Sequence, residues 1–213
     1  MNIVLIGATG FVGSALLTEL LSRDHIVTVA GRSADKLPTH KNLRFVQADA
    51  YDAGQVAAAV RGQDAVISAF NPGWGKADIH NLFLKGHDAI VAGVKQAGVK
   101  RFLEIGGAGS LFVAPGVQAV DLPSFPAEWK DGALAAREAL NRLRKEDSLE
   151  WSFISPAAHL VPGERTGKFR LGRDEMLMSG DEPGSISTAD LAVAIVNEVE
   201  LPQHIRQRFT AAY

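Results

Sequence analysis

The first thirteen residues constrain this chain most. Asn2-Ile3-Val4-Leu5-Ile6 is an apolar run, and Gly7-Ala8-Thr9-Gly10-Phe11-Val12-Gly13 follows it without a spacer. Helical spacing then sets in at Ala15, Leu16, Leu17, Leu20 and Leu21. A strand, a glycine-rich turn and a helix in immediate succession form the layout of a dinucleotide-binding turn. The first glycine permits a tight turn, the second lets the backbone approach a pyrophosphate, and the third lets the helix pack on the strand. The pyrophosphate meets free N–H groups at a helix N-terminus, where the helix dipole favours negative charge. The turn nominates Gly7, Thr9, Gly10, Phe11, Val12 and Gly13 as cofactor contacts. Its spacing is G-x-x-G-x-x-G rather than G-x-G-x-x-G, so alone it specifies a nucleotide site and no chemistry.

The next strand supplies the choice of nucleotide. His25 to Ala30 reads as a second buried strand, and Gly31-Arg32-Ser33 stands at its end. An acidic residue there would accept from a ribose 2′-OH and favour NAD, whereas an arginine holds a 2′-phosphate. No Asp or Glu ends this strand, and Asp35 comes too late. Arg32, assisted by Ser33, is therefore the expected 2′-phosphate contact. NADP(H) is the preferred cofactor, with NAD(H) the alternative.

Composition bounds the rest. A chain of 213 residues with 46% hydrophobic and 22% charged residues suits one globular unit. A net charge of −2 gives no electrostatic case for nucleic acid or an acidic membrane surface. With no cysteine, disulfides, thiolate metal sites and cysteine nucleophiles are excluded. No His/Asp/Glu spacing suggests a metal site. No apolar run reaches membrane-spanning length, and none reads as a signal peptide. A cytoplasmic location is the expectation.

Beyond the turn, strands and helices alternate. Strands are expected at Leu43–Gln47, Asp64–Phe70, Val99–Ile105 and Trp151–Ile154. Helices are expected at Gln55–Val60, Asp78–Ala97 (ended by Gly98) and about 127–145. The pattern predicts an α/β, Rossmann-like, doubly wound parallel sheet with helices on both faces. One NAD(P)-binding domain spans 1–213, with 157–186 as a small lid. In that lid, Lys168–Leu171 and Glu175–Met178 are expected to pair as a hairpin, with Arg165 and Arg170 either in structural salt bridges or holding an anionic substrate group such as a phosphate. Ser187 or Thr188 is expected to cap the last helix, and Arg208–Ala211 to add an edge strand. His80 and His87 are expected at the surface or partly packed.

In such sheets, ligands bind beyond the carboxyl ends of the strands. The rule adds Asp49 and Ala50, then Ala69, Phe70 and Asn71, then Gly106 and Gly107, then Ser155 and Pro156. Asp49 is a candidate acceptor for an adenine amino group or a turn residue, and Asp52 is a candidate helix cap. Trp74 either stacks on a flat ligand or packs into its loop.

With these residues in view, the chain resembles the atypical short-chain dehydrogenase/reductase group with NmrA-like NAD(P)H-binding proteins. It is most similar there to bacterial proteins provisionally labelled NADH-flavin reductases. The resemblance spans essentially the whole chain. Its markers are Gly7–Gly13, Ser68-Ala69-Phe70-Asn71-Pro72-Gly73, Gly106-Gly107-Ala108-Gly109-Ser110, Ser155-Pro156-Ala157-Ala158, Pro162–Gly167 and Ile186-Ser187 before Ala189-Asp190-Leu191-Ala192.

The resemblance implies a Ser and a Tyr-x-x-x-Lys pair for proton donation to a carbonyl. Ser110 matches that serine in position. The only tyrosines are Tyr51 and Tyr213, and Glu128-Trp129-Lys130 stands where the catalytic one is expected. Ketone reduction builds alkoxide charge and needs a nearby acid. Flavins and quinones spread the charge over a ring and accept a proton from solvent. The expectation is an NADPH-dependent oxidoreductase passing hydride to a flavin or quinone-like small molecule. The alternative is a non-catalytic NADP(H)-binding redox sensor. Ser110 and His159 are the candidate catalytic residues; His159 lies in the loop expected near the nicotinamide, and imidazole titrates near neutrality. The oligomeric state, monomer or dimer, is left open.

Overall fold

Ile3 and Leu5 face one side of the first strand, Val4 and Ile6 the other, and all four are buried. A strand apolar on both faces belongs in a parallel sheet covered on both sides. The computed structural model describes residues 1–213 and contains that sheet. In chain order the elements are β1 (Asn2–Ile6), α1 (Phe11–Ser22), β2 (Ile26–Gly31), β3 (Leu43–Gln47), α2 (Ala53–Val60), β4 (Ala65–Ser68), α3 (Ile79–Ala97), β5 (Arg101–Ile105), β6 (Phe112–Ala114), β7 (Val117–Gln118), α4 (Ala127–Leu143), β8 (Glu150–Pro156), β9 (His159–Val161), β10 (Arg170–Gly172), β11 (Met178–Ser179), β12 (Glu182–Pro183), β13 (Ser185–Ser187), α5 (Thr188–Glu200) and β14 (Gln207–Ala212).

The central sheet runs β3-β2-β1-β4-β5-β8-β14-β10, parallel except for β10. Strand order reverses between β1 and β4, and a crevice opens at such a switch point. Leu16, Leu20, Leu191 and Ile195 of α1 and α5 cover one face over Ile3, Leu5 and Ile67. Val56, Ile90, Val94 and Leu140 of α2, α3 and α4 cover the other over Val4, Val66 and Phe102. Truncating any of these leucines to alanine costs about 2–5 kcal/mol.

Four expectations need correction. Lys168–Leu171 and Glu175–Met178 do not form a hairpin together. Arg170 to Gly172 instead pairs antiparallel with β14, which otherwise would carry an open edge, and Met178–Ser179 pairs with Glu182–Pro183. β14 is consequently an interior strand, with β10 outside it. His87 is neither at the surface nor partly packed. It is buried, with Nδ1 2.9 Å from both carboxylate oxygens of the buried Glu104. Burial favours the neutral imidazole, but the Glu104 charge outweighs it and raises the His87 pKa.

The segment 162–168 has no regular structure and is tied down at two points. Arg165 meets Glu19 of α1 at 2.7 and 2.9 Å, so its expected salt bridge forms. Arg170 makes no such bridge to a side chain. It donates to the carbonyls of Met178 and Tyr213. The second tie is Asp190, fully buried in the first turn of α5, where Ser187 is the cap. Its carboxylate accepts from the Thr166 hydroxyl, the Gly167 N–H at 2.7 Å and the Tyr213 hydroxyl at 2.9 Å. Burial pushes this carboxyl up, and the hydrogen bonds outweigh burial and hold it below its ordinary value of 3.8. A folded pKa below the unfolded one stabilises fully above the unfolded value and is lost as pH falls through the folded value. Asp190→Asn is therefore expected to cost about 1–3 kcal/mol at neutral pH. It should also flatten the fall in melting temperature below about pH 4. Thermal melts from neutral to acid pH check both; an unchanged melting point at neutral pH would refute the assignment.

Candidate functional site

The crevice at the switch point is built on the glycine turn. Gly7 has φ +83°, which L side chains rarely adopt. A Cβ there would lie 2.4 Å from the Ala69 carbonyl oxygen, and one on Gly13 would lie 2.0 Å from the Gly7 carbonyl oxygen. The turn is thus pressed between β4 and α1 with no room for side chains. α1 starts with no side-chain cap and no acidic residue in its first turn. Its leading N–H groups and positive dipole end are left for an anion. A cradle closed to Cβ atoms and an uncapped helix fit a nucleotide pyrophosphate.

The cleft beside the turn has a volume of ≈ 420 Å³, within the usual ligand-site range of about 300–1,000 Å³. Gly7, Thr9, Gly10, Arg32, Ser33, Asp49, Ala50, Ala69, Phe70 and Asn71 all line it. The carboxyl ends of β1, β2, β3 and β4 thus meet in one place, as the strand-end rule requires. Arg32 is exposed, with no hydrogen-bond or ion-pair partner in the chain. Ser33 Oγ accepts from the Asp35 N–H at 3.1 Å, which leaves its hydroxyl proton to donate. Asp49 accepts from the Tyr51 N–H at 3.0 Å, and Asp52, not Asp49, caps α2.

Other expected contacts lie outside this lining. Phe11 is exposed at the start of α1, Val12 packs on the core, and Gly13 supports the turn from behind. Gly106 and Gly107 follow β5 further along the sheet edge. Ser155 and Pro156 are buried, and the Ser155 hydroxyl has no protein partner. Ser110 is buried too, its hydroxyl held by Arg208 at 3.0 Å, with Arg208 in turn on Asp174. His159 is exposed on β9, and its imidazole has no partner in the chain.

Sequence reasoning missed several cleft residues. Tyr51 stands edge-on to Phe70, ring centroids 5.5 Å apart, with Lys85 Nζ 5.5 Å above its ring. Burial first, then the Asp49 charge, raises its phenol pKa, and Arg32 opposes them. Asp35, Lys36, Pro72 and Lys76 also line the cleft. The strand-end rule could have found Tyr51, two residues beyond the nominated Asp49. Asp35 does reach the cleft, but Arg32 and Lys36 outnumber it there.

On α4, the buried residues that meet the loop after β5 are Ala133, against Gly109, and Ala136, against Gly107. A Cβ on Gly109 of that loop would lie 2.9 Å from the Ala133 Cβ. The helix presents small apolar residues there. Lys130 on the same helix is exposed, with no hydrogen-bond or ion-pair partner in the chain.

The fold and the turn together define a Rossmann-type dinucleotide-binding protein. The NAD(P)H-binding family model matches residues 7–202, and the chain belongs to that family. A solved Bacteroides thetaiotaomicron protein, provisionally named an epimerase, is 45% identical with TM-score 0.93 over 100% of this chain and 96% of that one. A Burkholderia pseudomallei protein, provisionally named as exported, is 42% identical with TM-score 0.89 over 100% of both chains. A Streptococcus pneumoniae protein, provisionally named an NADH-flavin reductase, is 32% identical with TM-score 0.87 over 100% of this chain and 99% of that one. No helix is long and apolar enough to cross a membrane.

Proposed function

We propose that the protein is an NADPH-dependent reductase of flat, conjugated acceptors such as flavins or quinones. One observation carries the reading: the cleft offers an unpaired arginine to a 2′-phosphate, while α4 carries no tyrosine, with Glu128-Trp129-Lys130 at the expected position and Ala133 and Ala136 packed on the glycine loop. When bound, the nicotinamide supplies a hydride, two electrons with one proton. The chain's part is to hold and orient. Backbone N–H groups of the turn grip the pyrophosphate, Arg32 and Ser33 the 2′-phosphate, and Asp49 the adenine amino group. The second proton of the reduction comes to the acceptor from solvent or from His159. No buried donor then has to be spent, because a conjugated ring disperses the negative charge an alkoxide would concentrate. The name of the pneumococcal relative supports this acceptor class. We place the protein in the cytoplasm, where reduced cofactor is regenerated, although the Burkholderia relative's name points elsewhere.

Comparing acceptors tests the chemistry. NADPH oxidation is expected with FMN and menadione and not with isolated aliphatic ketones. Equal turnover of both classes would mean that a positioned acid exists and would overturn the reading.

A further inference from the structure

The chain has three tryptophans, and they divide sharply. Trp151 is buried, and its indole N–H donates to the Glu146 carbonyl at 3.1 Å. Trp74 is 60% exposed and Trp129 is 52% exposed, and neither indole N–H has an acceptor in the chain. Large apolar surface left in water beside a cleft is informative where a lone exposed leucine is not.

Trp74 packs on α4, the helix that carries Trp129. A Cβ on Gly132 would lie 2.6 Å from Trp74 Cζ3, so the Trp74 ring rests against the backbone of α4 at Gly132. Trp129 stands three residues earlier on that helix, where i and i+3 share a face. The loop of Trp74 borders the cleft, although neither ring is part of its lining. Asn71, Pro72 and Lys76, on either side of Trp74 in its loop, line it. The next turn of α4, through Ala133, packs on the glycine loop after β5. The pair therefore sits beyond the β4 and β5 strand ends. Arg32, which follows β2, lies toward the opposite end of the cleft.

We infer that Trp74 and Trp129 form the acceptor platform, stacking a flat conjugated ring of two or three fused rings at the hydride end of the cleft. The inference rests on the reductase reading for what happens to the bound ring, but not for its binding. Gly132 is a positioning residue, since only its missing Cβ lets the Trp74 ring settle there.

The test uses FMN and menadione on the full chain, in two readouts. FMN binding in the presence of NADP⁺ is followed by loss of flavin emission, and acceptor KM by NADPH oxidation. Trp74→Leu and Trp129→Leu are each expected to weaken FMN binding and raise acceptor KM about five- to tenfold. NADPH affinity should stay unchanged. Gly132→Ala, which favours the helix, should reproduce the Trp74→Leu loss with every aromatic ring retained. Wild-type affinity for FMN in both tryptophan variants, or no FMN or menadione binding by the wild type, overturns the platform. Binding that depends on the tryptophans without any NADPH oxidation sustains the platform and defeats the reductase. Oxidation unaffected in both variants defeats the platform alone.

Discussion

Gly13→Ala is expected to abolish detectable NADPH binding and to lower the stability of the protein. The new Cβ would stand 2.0 Å from the Gly7 carbonyl oxygen, a distance real Cβ atoms essentially never show. The neighbour is backbone, so no side chain can swing away. Either α1 must slide off β1 or the turn must open, and both move the N–H groups proposed to face the pyrophosphate. Overpacking of this kind costs about 1–3 kcal/mol in a core, occasionally more. Alanine would otherwise favour the helix by about 1 kcal/mol over glycine. A net loss of stability together with lost binding is thus a specific signature of steric conflict. Calorimetric titration with NADPH and a thermal melt measure the two. A variant that is more stable and still binds would show that the turn has slack the structure does not give it.

Arg32→Ala is expected to weaken NADPH about ten- to hundredfold and to leave NADH nearly unchanged. A charge-assisted hydrogen bond is worth about 1.5–3 kcal/mol. Arg32 has no competing partner within the chain, so its guanidinium is not already neutralised. Lys36 shares the wall and would retain some attraction for the 2′-phosphate, which keeps the expected loss within that range. Asp35 in the same wall opposes it weakly through solvent. Equal loss for both nucleotides would mean that Arg32 shapes the cleft and does not read the phosphate.

The long strands were legible because their periodicity was complete. Val27, Val29 and Ala30 of β2 and Phe102 and Leu103 of β5 are buried on both faces, and no surface pattern mimics that. The carboxyl-end rule then collected ten cleft residues from four separate strand ends. Legibility failed where the pairing partner lay far off or the element was short. β10 gives no sign in its own three residues that Arg170 will pair with Ala212. β9 and β13 are three residues each and pair with one another across the segment between them. His87 was misplaced because its burial depends on Glu104 of β5, a partner that helical spacing within α3 cannot reveal. That α4 carries no tyrosine was legible early, since counting tyrosines needs no structure. The packing of Ala133 and Ala136 on the glycine loop was not, because it depends on how α4 docks after β5.

The most direct test of the central claim pairs two titrations on the same preparation: equilibrium binding of NADPH, and NADPH oxidation against FMN and menadione. The expected result is tight NADPH binding with multiple turnovers on at least one of the two acceptors. Tight NADPH binding with no oxidation beyond the spontaneous rate would contradict it and assign the protein to sensing the cofactor instead of using it.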